Sequence, residues 1–173
     1  MILTRRHALG LGGALIAALF LRTALARSSD ATEIVMGGRS DGSRVWFNPA
    51  GVLIKPGQTV RWINRDAGNA HTATAYHPAN FDKPRRIPQS ARPWDTDYLL
   101  PGGDFSVTFT VPGVYDYFCV PHEHAGMVGR IIVGAPQPEQ HGGNTADEGI
   151  PVAALQAFPS VEDIMKKGAV WRD

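Results

Sequence analysis

The stretch Asp104-Phe105-Ser106-Val107-Thr108-Phe109-Thr110-Val111-Pro112-Gly113-Val114-Tyr115-Asp116-Tyr117-Phe118-Cys119-Val120 decides the fold. In its first half Phe105, Val107, Phe109 and Val111 alternate with Ser106, Thr108 and Thr110. Successive side chains of a strand point to opposite faces, so this period of two predicts a half-buried strand over Asp104 to Val111. Pro112-Gly113 turns the chain into a second extended run, Val114 to Val120, and Met127 to Val133 returns as the last strand. Upstream, Glu33 to Met36, Val45 to Asn48, Val52 to Ile54 and Gln58 to Asn64 read as short strands, with Val60 and Trp62 on one face. Arg65 to Ala70 is a polar loop, after which His71 to Tyr76 resumes an extended pattern. About eight short strands separated by turn signals need two sheets to bury their apolar faces, which predicts an all-β sandwich.

Bulk composition agrees. A chain of 173 residues suits one domain with a signal and a tail to spare. With 43% hydrophobic residues, 19 Gly and 13 Pro, turn-formers favour short strands over long helices. Residues 1–26 have a positive start (Arg5, Arg6), an apolar run from Ala8 to Leu21 and a small-residue cleavage site at Ala24-Leu25-Ala26. They read as an export signal, and Thr4-Arg5-Arg6-His7-Ala8-Leu9 points to the twin-arginine type. The apolar run is short and broken by glycines, so no membrane span is expected in the mature chain. Setting aside Arg5, Arg6 and Arg22, 14 basic side chains face 16 acidic ones, a balance that does not point to nucleic acid.

Export also bears on Cys119. Exported proteins pair their cysteines, and Cys119 is the chain's only one, so it is a buried hydrophobe, a reactive thiol or a metal ligand. Its neighbours argue for the last. Cys119, His122, His124 and Met127 share one loop, and a thiolate with imidazoles and a thioether is the donor set of an electron-transfer copper site. A hairpin-like loop brings Cys119 and Met127 close together, with His122 at its tip. Pro121 stiffens that loop and Gly126 lets it turn. A second imidazole must come from elsewhere among His71, His77, His124 and His141. His71, at a strand start after a loop in mid-domain, is the best placed.

The motif Cys119-x2-His122-x4-Met127, inside Tyr117-Phe118-Cys119-Val120-Pro121-His122 and followed by Ala125-Gly126-Met127-Val128-Gly129, resembles the cupredoxins, specifically the plastocyanin and pseudoazurin group. The resemblance covers about residues 31 to 134. It implies a Greek-key β-sandwich, one mononuclear type 1 (blue) copper ion, and one-electron transfer without substrate turnover. The implied ligands are His71, Cys119, His122 and Met127, with Thr72 and the backbone around Asn69 as hydrogen-bonding support. His124 is the alternative ligand, because Cys119-x4-His124 is a spacing other cupredoxins use. By the same resemblance His122 is the electron port, with Pro121, Ala125 and Gly126 forming a weakly polar contact surface.

These readings predict a monomeric periplasmic carrier of single electrons between redox protein partners. The rivals are a copper carrier or storage protein and a small copper-dependent oxidoreductase subunit. A carrier would call for Met-rich or His-rich tracts, whereas the chain has four Met. An oxidoreductase would need a second histidine set, and His77, His124 and His141 do not group.

Two further regions stand out. Residues 77 to 98 form a long irregular insertion carrying Lys83, Arg85, Arg86 and Arg92, expected to help dock an acidic partner. Residues 135–173 read as a linker and a helical tail. Val152 to Phe158 forms a short helical turn, and a second helix, capped by Ser160 and closed by Lys166, Lys167 and Gly168, places Val161, Ile164 and Met165 on its apolar side.

Overall fold

The structure, a computed structural model, describes residues 31–135 and 147–172. The expected export signal, most of the linker and His141 lie outside the described residues. Ala31–Asp173 make up one unit.

Among the described residues, nine strands build two sheets: β1 (Thr32–Gly38), β2 (Val45–Asn48), β3 (Gly51–Ile54), β4 (Gln58–Asn64), β5 (Thr74–Ala75), β6 (Asp104–Phe109), β7 (Gly113–Phe118), β8 (Val128–Val133) and β9 (Ala169–Val170). One sheet has the order β2-β1-β4-β6, the other β5-β7-β8-β3-β9. Two pairs are parallel, β1 with β4 and β3 with β8, and the remaining pairs are antiparallel. This is the expected all-β Greek-key sandwich with a long inserted loop, here followed by two short tail helices, α1 (Val152–Ala157) and α2 (Val161–Lys167).

The core lies between the sheets. Ile34, Met36, Phe47, Val60 and Trp62 from one sheet meet Val52, Ile54, Tyr115, Tyr117, Ile131 and Val133 from the other. In β6, Phe105 and Val107 are half-buried and Phe109 is buried, whereas Asp104, Ser106 and Thr108 are exposed, as the alternation predicted. By contrast every residue of β7 and β8 is buried. The second face of these strands is covered by the tail: Val114 and Ile132 pack on Ile164 of α2, and Phe118 and Val128 on Ala154 of α1. Strands covered on both faces read as near-continuous apolar runs, as the 114–120 stretch does.

The tail is therefore part of the sandwich, and β9 pairs with β3 through Gly51↔Val170 and Val52↔Ala169. Ser160 caps α2 by accepting a hydrogen bond from the Asp163 N–H at 3.0 Å. Of the three residues expected on its apolar side, Ile164 is buried and Val161 is partly buried, but Met165 points outward. Close docking requires glycine at position 51, where a Cβ would lie 2.6 Å from Ile164 Cδ1 and 2.8 Å from Pro159 Cγ. Gly51→Ala is expected to cost about 1–3 kcal/mol, the usual penalty of overpacking a filled site, read as a lower urea midpoint.

The 77–98 insertion is irregular but pinned. Ile87 and Trp94 enter the core, and Trp94 stacks on Trp62 with ring centroids 5.7 Å apart. The insertion also runs beside the sheet: the Arg86 carbonyl accepts from the Asp116 N–H, and the Trp94 carbonyl from the Ala75 N–H.

Candidate metal centre

The sandwich brings two loops together at one end. In the first, β7 ends at Phe118, Cys119 follows, and a 3-10 turn over Val120–Ala125 leads through Gly126 and Met127 into β8. Pro121 sits in the first turn and starts it with a pre-set φ. The loop closes on itself. The Cys119 N–H donates to the Met127 carbonyl (3.0 Å), the Met127 N–H to the His122 carbonyl (3.1 Å), and the His122 N–H to the Cys119 carbonyl (3.0 Å). Gly126 adopts φ 76°, a left-handed conformation that only glycine enters freely.

In the second loop, His71 is fixed by reciprocal backbone hydrogen bonds with Leu99 (3.2 and 2.8 Å). Thr72 ties the two loops: its N–H donates to Cys119 Sγ (3.3 Å), and its Oγ1 accepts from the Val120 N–H (2.9 Å). Thr72 Oγ1 also contacts Thr74 Oγ1, which donates to Asp95 Oδ1. The hydroxyl direction is therefore settled, with Thr72 donating to Thr74.

His71 Nδ1, His122 Nδ1 and Cys119 Sγ converge. Nδ1 to Nδ1 is 3.2 Å, and Sγ lies 3.6 Å from His71 and 3.4 Å from His122. His71 and Cys119 are fully buried, and His122 is half-buried. Among the described residues these three form the one group of three or more His, Cys, Asp or Glu ligand atoms within metal-binding reach. Met127 is also fully buried, directly after the turn that carries His122. His124 is exposed and outside the group, and His77 is separate, its pKa lowered by burial and by Arg85.

Burial favours the neutral forms of Cys119 and His122. Burial pushes the Cys119 thiol up to about 11, against the lowering effect of the Thr72 hydrogen bond. It also pulls the His122 imidazole below its usual range, and His71 adds to that shift. A dry pocket thus holds two imidazoles and a thiol with their ligand atoms facing one point. The edges of the triangle match those spanned by donor atoms bound at about 2.0–2.3 Å to one first-row metal ion. A soft thiolate with two imidazoles is a donor set that suits copper.

Asp66 and Glu123 take roles that sequence reasoning missed. The Asp66 carboxylate meets His71 Nε2 at 3.0 Å. Burial pushes this carboxyl up, but hydrogen bonds from Asn69 and the Gly68 N–H, together with His71, hold it below the usual carboxylate range. The one available signal was an acid five residues ahead of a candidate ligand within a short polar loop. Glu123, buried inside the ligand loop, accepts from Tyr76 Oη (2.8 Å) and pairs with Lys83 of the insertion. Asn69, whose backbone is expected to support the site, accepts from Asn64 Nδ2 through its carbonyl (2.9 Å) and also donates from its side chain to Asp66 (2.9 Å).

Two surface expectations change. Lys83 is taken by Glu123, and Arg86 pairs with Asp116 and Asp147, so two of the four basic residues of the insertion serve the fold. Gly126 is buried beneath α1, close to the Ala153 carbonyl and Ala157, which leaves Pro121 and Ala125 as the exposed members of the expected contact surface.

Comparison with known proteins points the same way. The profile of the family described as copper binding proteins, plastocyanin/azurin family, matches residues 33–134. The chloroplastic plastocyanin of Tetradesmus obliquus is 39% identical over 113 residues, spanning 63% of this chain and 71% of its own. The plastocyanin of Scenedesmus fuscus is 39% identical over 98 residues, spanning 54% of this chain and 92% of its own. Among solved structures, a Sinorhizobium pseudoazurin superposes with a TM-score of 0.55 at 25% identity, covering 79% of this chain and 98% of its own. With the sandwich, the buried His-Cys-His group and these matches together, the chain belongs to the plastocyanin/azurin family of copper-binding proteins, the cupredoxins, and its His-Cys-His group fits a single copper ion.

Proposed function

We propose that the chain carries single electrons between redox proteins in the bacterial periplasm, using the Cu(II)/Cu(I) couple of the copper its family binds. His71, Cys119 and His122 would hold the copper, with Met127 as a further, weaker donor. One observation carries this reading: His71 and Cys119 are fully buried, whereas His122 is half-exposed. A metal held there is screened from substrate, and the His122 ring is its path to the surface. Electrons cross such an edge without a bond forming, so a carrier needs nothing more open. Pro121 and Ala125 beside that ring give a partner a small, weakly polar surface to meet.

The residues also serve fast exchange. The loop that holds Cys119, His122 and Met127 is closed by its own backbone bonds, and it is anchored from outside by Thr72 and, through its own Glu123, by Tyr76 and Lys83. A rigid ligand set changes little between oxidation states, which keeps reorganisation small. Burial of His71 and Cys119 speaks against a storage or delivery role, for which accessible donors suit better. The periplasmic assignment rests on the export signal at residues 1–26. Among the described residues no helix is long and apolar enough to cross a membrane.

Voltammetry of the copper-loaded protein tests the reading. A single reversible one-electron wave, unaffected by dioxygen or nitrite, is expected. A catalytic current with either, or an irreversible wave, would sink it.

A further inference from the structure

Asp66 is built into the site more firmly than a chance loop acid would be. It lies just past β4, nearly buried, with one oxygen accepting from the Gly68 N–H (2.9 Å) and the other from Asn69 Nδ2 (2.9 Å). Its own N–H donates to Asn64 Oδ1 (2.9 Å), and Asn64 Nδ2 bonds the Asn69 and Leu99 carbonyls. Leu99 is the residue whose backbone pairs with His71, so one network holds both the carboxylate and the imidazole. The opposite strand leaves room for the acid: a Cβ on Gly38, at the end of β1, would fall 2.1 Å from Asp66 Oδ2. The same oxygen faces His71 Nε2 at 3.0 Å, and both side chains are shut off from solvent.

The consequences are chemical. A carboxylate only accepts hydrogen bonds, so the shared proton sits on His71 Nε2, and Nδ1 keeps its lone pair toward Cys119 and His122. A buried negative charge on the far side of that ring makes the imidazole a better donor and favours the more highly charged state of whatever it binds. We propose that Asp66 is the positioning residue of this centre, fixing the His71 tautomer and favouring the oxidised over the reduced metal. The inference rests on the reading of His71 as a ligand.

Asp66→Asn tests it, because asparagine can still accept the Nε2 proton while the charge is gone. The variant should keep the visible absorption of the copper-loaded protein while its preference for Cu(II) over Cu(I) falls about tenfold. That ratio corresponds to a midpoint potential about 59 mV higher for one electron. A midpoint that is unchanged or lower in a variant that keeps its colour overturns the charge effect. A second measurement needs neither copper nor a variant. Nitrogen NMR of the metal-free protein should show His71 protonated at Nε2, with a slowly exchanging proton, and protonation at Nδ1 overturns the positioning role. If the wild-type protein gives no reversible couple, the electron-carrier reading fails, while the NMR result still decides the Asp66–His71 pair.

Discussion

Replacing Asp116 with alanine is expected to destabilise the metal-free fold by about 3–5 kcal/mol, the usual cost of stripping the partner from a buried charge. Asp116 lies on β7 directly opposite Arg130 on β8, on the face that meets the tail. Its Oδ1 accepts from Arg130 Nε (2.7 Å), and its Oδ2 from Arg130 (2.9 Å) and Arg86 Nε (2.8 Å). Asp116 is 2% exposed and Arg130 8%, so neither is solvated well enough to stand alone. The two guanidiniums lie over the Phe158 ring at 5.0 and 5.1 Å, and Arg130 also bonds the Pro159 carbonyl. Insertion, sheet and tail thus meet at one carboxylate, and removing it strips buried Arg130 of its counter-charge beside the Arg86 guanidinium, which still meets Asp147. Asp116→Asn keeps the shape and part of the hydrogen bonding and should lose less. Urea denaturation measures both, and a loss below about 1 kcal/mol for the alanine variant would show that Arg130 finds another partner.

His122→Ala is expected to abolish the visible absorption of the copper-loaded protein and to weaken Cu(II) binding by more than about 100-fold, beyond the range of outer-shell changes. His124→Ala should leave affinity within a factor of about two, as for an ordinary surface change. The contrast follows from the turn over Val120–Ala125. His122 Nδ1 is held 3.2 Å from His71 Nδ1 and 3.4 Å from Cys119 Sγ, whereas His124 faces solvent. The Met127 N–H bond to the His122 carbonyl fixes the loop length that suits His122. Isothermal titration with Cu(II) separates the two variants, and the reverse ranking would transfer the ligand role to His124.

What the sequence made legible were residues whose chemistry is rare in combination. Cys119, His122 and Met127 within nine residues, and His71 at a strand start, stand out as candidate donors because thiolate, imidazole and thioether seldom gather otherwise, and the fold brings His71, Cys119 and His122 together. The alternation in β6 was equally plain, because one of its faces meets water. Other features depend on contacts that no local pattern encodes. β9 is two residues long and exists because the β3 edge accepts it. Met165 was expected on the apolar side of α2, yet Ile164 and Val161 make the packing and Met165 stays exposed. Charge was the least legible property. Lys83 and Arg86 read as partner-docking residues and Asp66 as part of a polar loop, and only the folded chain shows them, together with Glu123, in ion pairs.

Electron transfer by this chain requires a single buried thiolate-bound copper. Its most direct test is a titration of the metal-free protein with Cu(II), followed by visible absorption, for the wild type and Cys119→Ser. Intense colour that saturates at one equivalent in the wild type and is absent from the serine variant is the predicted result. A colourless wild-type complex, or colour that survives the loss of Cys119, would contradict it.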